Sequence, residues 1–213
     1  QVYRSSIQQM SLLRDVYSFG QLQVLSEGTS NSPMKVRGLF QEAEKVNGNK
    51  RRYPTKLLER EVKKLSTMIS ERRLVGELDH PSDEVVHLTN ASHLITGLQM
   101  EGTKVIGEAE ILNTPAGKVL QELLKAGVKI GISSRAVGGL TFSNDDDCYE
   151  VNDNLRMITW DMVSDPSCQG AYPGLMENNK HLNEHASKAV EEVQQITAER
   201  IYIKRLEQSL RKK

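Results

Sequence analysis

Apolar positions recur along this chain in three rhythms. The first is helical: in "TKLLEREVKKLSTMIS", Leu57, Leu58, Val62, Leu65 and Ile69 fall three or four apart, which predicts a helix of about four turns with one apolar stripe. Pro54 just ahead of it presets φ for a helix start. A second helix is predicted in "TPAGKVLQELLKAG", where Thr114 offers a cap, Pro115 occupies the first turn and Gly127 provides a stop.

The second rhythm alternates. "MKVRGLFQEAEKVN" reads as a strand, and "VVHLTNASHLITGLQM" and "TKVIGEAEIL", joined by "EGT", predict an antiparallel hairpin. "VKIGISS" returns to strand, and "GGLTFSNDDDCYEVNDNLRMITWDMVSDPS" predicts further strands divided by an Asp/Asn-rich turn. The triple aspartate lacks the glycine and distal glutamate of a calcium loop. The third rhythm begins near residue 179, where Ala189, Val193, Ile196, Ile203, Leu206 and Leu210 stand among many charges and predict one long amphipathic helix. Ahead of the alternating region, "SEGTSNSP" reads as a mobile connection. The expected organisation is a mobile N-terminal segment over 1–34, a compact domain over 35–178 and a helical arm over 179–213. Mixed elements without a βαβ repeat make the class α+β.

Composition narrows the partners. The 213 residues hold 28 basic and 28 acidic side chains, so no net field draws the chain to nucleic acid or to a membrane surface. Two cysteines, Cys148 and Cys168, form no C-x-x-C pair, which points to a reducing compartment. No run of about 18 apolar residues predicts a membrane span.

Two stretches carry chemistry. A serine hydroxyl needs a neighbouring base to become a nucleophile, the base needs a third group to orient it, and the oxyanion needs donors. "GISSRAVGG" at 131–139 offers Ser133 and Ser134 where a strand is expected to end in a glycine-flanked bend, and "VGELDHPSDE" at 75–84 offers His80 amid carboxylates. Residue types alone leave a serine–histidine hydrolase open beside an ordinary turn, and no G-x-S-x-G elbow is present. His80, His87 and His93 lack the i, i+4 helical pair and no cysteine pair completes four ligands, so neither a metal nor an organic cofactor is expected.

"GELDHP", "VIGEAEILNTPAGKVLQELLKAG", "GISSRAVGGL" and "DMVSDPSCQGA", in this order over about residues 36–173, resemble the prohead maturation proteases of large contractile-tailed phages. That family is similar to the herpesvirus assemblins, so the resemblance implies an antiparallel β-barrel core flanked by helices. It implies His80 as general base and Ser133 as nucleophile, with Ser134 its rival; in an extended chain the two serines face opposite sides and only one can meet His80. Asp161 is the preferred third member, with Asp165, His93 and Asp79 as alternatives. Arg135 has a supporting role, through its backbone N–H at the oxyanion or through a guanidinium ion pair. His93 otherwise reads as a sheet residue, and His87, His181 and His185 as structural or solvated.

The resemblance also implies cleavage after glutamate when an aliphatic residue lies two positions earlier and a small residue follows. "LSEG" fits, which makes the Glu27–Gly28 bond the leading autocleavage site; "IGEA" at 106–109 fits but falls in an expected strand. "LMEN" fits less well, and a cut after Glu177 would free the helical arm. The implied substrates are scaffold or core proteins and the major capsid protein, met in the host cytoplasm inside the assembling prohead, with a homo-oligomer left open. The rival reading is a non-enzymatic assembly protein that binds partners through its C-terminal helix. Separation of Ser133 from His80 would favour that rival.

Overall fold

The structure, a computed structural model, describes residues 10–19, 22–29 and 32–164. Asp165, Cys168, Glu177, His181, His185 and the helical arm expected over 179–213 lie outside the described residues.

Eleven strands and two α-helices are described. In chain order they are β1 (Ser11–Phe19), β2 (Gln23–Ser26), β3 (Lys35–Glu42), β4 (Arg51–Arg52), α1 (Thr55–Ser70), β5 (Val75–Glu77), β6 (Ala91–Glu101), β7 (Lys104–Ile111), α2 (Pro115–Lys125), β8 (Ile130–Gly138), β9 (Leu140–Ser143), β10 (Cys148–Val151) and β11 (Arg156–Ser164). The protein is therefore mostly β. No helix among the described residues is long and apolar enough to cross a membrane.

Both helices form where the periodicity places them. α1 buries Leu57, Leu58 and Leu65 and packs on β6. Its buried Glu61 accepts hydrogen bonds from Lys64 Nζ at 2.7 Å, Arg60 Nε at 2.9 Å and the Met157 N–H at 3.1 Å. Burial works against that carboxylate, but these donors outweigh it and hold its pKa below the ordinary value. α2 begins at Thr114, whose hydroxyl accepts from the Gly117 N–H at 3.1 Å, and Gly127 follows its end at φ +75°.

The expected barrel is not closed. Strand order β2-β3-β7-β6-β5 makes one antiparallel sheet, β1-β8-β11 a second, and β4-β10-β9 a third in which β4 and β10 run parallel. β8 finds its partners in β1 and β11, so no ladder carries it into the five-stranded sheet; a single bridge between Leu78 and Met162 links β11 to the residue after β5.

Two further expectations change. Residues 11–19, expected in a mobile segment, form β1, in register with β8 from Ser11 opposite Gly138 to Phe19 opposite Gly131. The reason is packing: Leu13 has 0% exposure in the core, and Asp15 is equally buried against hydrogen-bond donors. The stretch around Glu27 is folded as well. β2 pairs with β3, Gly28 adopts φ +76°, and Thr29 and Ser32 exchange backbone hydrogen bonds at 2.7 and 3.3 Å. A Cβ at position 28 would lie 2.7 Å from the Met34 nitrogen, so glycine suits both the dihedral and the space.

The three-stranded sheet around β8 has two unlike faces. Ile130, Ile132 and Ala136 point into the apolar core with Leu13, Met157, Trp160 and Met162. The alternate positions Ser133 and Arg135 point the other way, opposite Asp161 and Thr159 on β11 and Val16 and Arg14 on β1. All nine residues of β8 are buried, because the segment from β5 to β6 covers this second face.

Candidate active site

Ser133 lies mid-strand, not in a bend. Its backbone sits in ladders on both sides, and β1 is irregular opposite it, with a register shift between Val16 and Ser18. Its hydroxyl meets His80 Nε2, and His80 Nδ1 lies 2.9 Å from Asp161 Oδ2. Because the carboxylate only accepts, the proton sits on Nδ1 and points at Asp161, which leaves Nε2 to accept from the Ser133 hydroxyl. Chain separations of 53 and 81 residues are thus collapsed into one line of hydrogen bonds.

His80 is held from both sides. The Asp79 N–H donates to the Met162 carbonyl at 2.8 Å with Asp79 at φ +63°, and the Arg14 guanidinium donates to the Pro81 carbonyl at 3.1 Å. Asp161 is held more tightly still. Its Oδ1 accepts from the Glu77 N–H at 3.0 Å and from Arg135 Nη2 at 3.1 Å, and Arg135 Nε lies 3.0 Å from Oδ2 without hydrogen-bonding alignment. The same guanidinium donates to Glu77 Oε1 at 2.8 Å and to the Val85 carbonyl at 2.8 Å. Arg135, Asp161 and Glu77 have at most 1% side-chain exposure, so these charges interact with little solvent screening.

The alternatives separate on geometry. Ser134 faces the core side, its hydroxyl 3.5 Å from the Asp15 carbonyl, and cannot share His80 with Ser133. Asp79 contributes its backbone, and no bond joins its carboxylate to His80 among the described residues. His93 is buried in β6: Nε2 donates to the Trp160 carbonyl at 2.9 Å, so Nδ1 accepts from the Ser92 hydroxyl at 2.9 Å. Burial pushes the His93 pKa below its ordinary value. Gly76 is needed beside it, since a Cβ there would collide with the His93 ring and the Trp160 carbonyl. Of the two readings of Arg135, the geometry favours the ion pair.

Two residues outside the sequence-based set belong to this neighbourhood. Glu77 is the acid of "GELDHP", visible in the stretch but eclipsed there by its histidine. Arg14 lies in the stretch expected to be mobile, and no local signal connects it to His80. An array in which a carboxylate orients an imidazole and the imidazole receives a serine proton can perform acyl transfer. The separation of Ser133 from His80 that an assembly-protein reading would have favoured is not present.

A model of the family described as "prohead core protein serine protease" matches residues 24–180. The chain is 33% identical over 142 residues to the prohead core protein protease of Enterobacteria phage T4, across 64% of this chain and 66% of that relative's length. The solved structure of the bacteriophage T4 capsid assembly protease is also similar, with a TM-score of 0.67 and 27% identity over 74% of this chain and 99% of that one.

Proposed function

Because the chain belongs to the prohead core protein serine protease family, we propose that it is a serine endopeptidase that cuts scaffold and capsid proteins inside an assembling phage prohead. The observation that carries this reading is the Ser133–His80–Asp161 line of hydrogen bonds, since it supplies a nucleophile, a base and an orienting acid in contact. Ser133 Oγ attacks the scissile carbonyl while its proton passes to His80 Nε2. As the tetrahedral intermediate collapses, the imidazolium returns that proton to the leaving amine and an acyl-enzyme remains. Water then attacks the ester, again giving its proton to His80, and Ser133 is regenerated with release of the carboxylic acid. Asp161 fixes the tautomer throughout, and Arg135 supports Asp161 by its guanidinium.

Cleavage after glutamate is part of the proposal, and Arg14 is the residue suited to it. It lies on the same sheet face as Ser133, one row along, it is exposed, and its guanidinium is anchored to a neutral carbonyl beside His80. No carboxylate pairs with it among the described residues, so its charge is available to an acidic substrate side chain. Glu27–Gly28 and the bond after Glu177 remain the candidate self-cleavage sites. For the first, β2 and the Thr29–Ser32 bridge must open before cleavage, whereas Glu108 sits in β7 between two paired strands and is better protected.

The test is intact-mass spectrometry of the full chain and its Ser133→Ala variant, each incubated with a prohead scaffold protein. Fragments ending in glutamate from the wild type and none from the variant are expected. Equal fragmentation by both would overturn the role of Ser133, and absence of any cleavage by wild type in assembling proheads would remove the peptidase reading.

A further inference from the structure

Glu77 is as buried as Asp161 yet has no part in the steps above. It ends β5, three residues before His80. Its Oε1 accepts from Arg135 Nη2 at 2.8 Å and from the His87 N–H at 2.9 Å. Its Oε2 is buried with no hydrogen-bond partner among the described residues, and His87 Nδ1 stands 3.8 Å away. His87 is 41% exposed and lies 3.5 Å from Asp83 at its other nitrogen.

The charges in this pocket do not cancel at rest. Asp161 and Glu77 carry two negative charges, Arg135 carries one positive charge, and His80 is neutral while Ser133 keeps its proton. A plain counter-ion arrangement would need only one acid for one guanidinium. An unmatched negative charge in a solvent-poor pocket is costly, and a proton arriving on His80 removes the mismatch.

We propose that Glu77 is a positioning residue for His80: a second carboxylate that, by sharing Arg135 with Asp161, leaves the pocket one positive charge short and so favours the imidazolium formed when His80 takes the Ser133 proton. This rests on the Ser133–His80–Asp161 reading for its catalytic meaning, but not for its electrostatics. Arg135 cannot fully neutralise Asp161 while it also serves Glu77, so Asp161 retains more of its charge for the imidazolium. The other charged groups around His80 do not substitute for Glu77. His93 is buried behind Gly76 and bonded in its neutral form, Asp79 is exposed, Glu84 is paired with Arg156 at 3.4 Å, and Arg14 is a cation whose effect has the opposite sign. At the solvent end, His87 flanked by Asp83 can partly offset the Glu77 charge when protonated.

The experiment is an NMR titration of the His80 ring protons in the full chain, assigned by their loss in His80→Gln, and it needs no enzymatic turnover. In Glu77→Gln the His80 midpoint is expected about one pH unit lower than in wild type, because one nearby negative charge is gone. In His87→Asn, which keeps the backbone bond to Glu77 and alters a half-exposed side chain, the midpoint is expected to rise. An unmoved midpoint in folded Glu77→Gln would overturn the proposal and leave Glu77 a structural counter-ion. Should that variant fail to fold, an unmoved or lowered midpoint in His87→Asn would overturn it alone. The acid limb of kcat/KM should follow the NMR midpoint. Shifted midpoints in a chain that hydrolyses nothing would sustain the charge coupling and sink the peptidase.

Discussion

Asp15 and Asp161 flank β8 on opposite faces of the same three-stranded sheet, both without exposure and both touching an arginine. Asp15, facing the core, accepts from the Tyr53 hydroxyl at 2.5 Å, Asn49 Nδ2 at 2.7 Å and Arg51 Nη1 at 3.0 Å. These partners fix β1 to the 49–53 segment, with Asn49 and Arg51 also reaching the Arg14 carbonyl. Asp161 instead spends one oxygen on the Glu77 N–H and Arg135 and the other on His80, whose second nitrogen faces Ser133. Burial and an arginine therefore do not distinguish a chemical acid from a structural one. What distinguishes them is a partner with a second proton-bearing face.

The sharpest way to break this contrast is to neutralise each acid without changing its shape. Asp161→Asn is expected to lower kcat about ten-thousandfold through the wrong imidazole tautomer. Asp15→Asn is expected to cost about 3 kcal/mol of unfolding free energy, by replacing the charged acceptor of Arg51 and Tyr53 with a neutral amide whose NH2 cannot accept, while the folded fraction keeps its activity within a few fold. Peptide cleavage and urea denaturation on both variants decide it. Equal catalytic losses at equal foldedness would erase the distinction.

A smaller effect separates His80 from the buried histidine that borders it. His93 has a lowered folded-state pKa, so the unfolded chain binds its proton more readily. Stability should therefore be intact above the unfolded value of about 6.5 and decline as pH falls below it. His93→Gln should flatten that acid slope, which thermal melts between pH 7 and pH 5 would read. The smallest effect is expected for Arg14→Gln: KM for glutamate-bearing peptides rising about tenfold with kcat nearly unchanged. A uniform loss on glutamate and glutamine peptides would assign Arg14 to holding Pro81 alone.

Local rules located both helices and the β6–β7 hairpin, because most of their apolar positions follow the helical or strand period. They failed at β1, where the inward positions include Asp15, and a buried acid reads as a surface residue until its donors are known. They misjudged β8 for a related reason. Two serines and an arginine on a fully buried strand look like a loop, since their burial depends on a cover formed by residues 75–90. Residue types point to His80 and to Ser133 beside Ser134, the family resemblance supplies their roles and Asp161, and no spacing rule joins positions so far apart in the chain. Glu77 stood in plain view inside "GELDHP", but its meaning depends on Arg135, 58 residues away.

Ser133 has 0% exposure, closed in by His80 above and paired strands on either side. A hydroxyl in that position has a waiting time. Any electrophile, peptide or organophosphorus probe, must wait for a neighbour to swing aside. The rate of modification should then climb with reagent only until opening becomes the slow step, and level off there. Such a ceiling would act as a clock set by the fold and indifferent to how much substrate surrounds it.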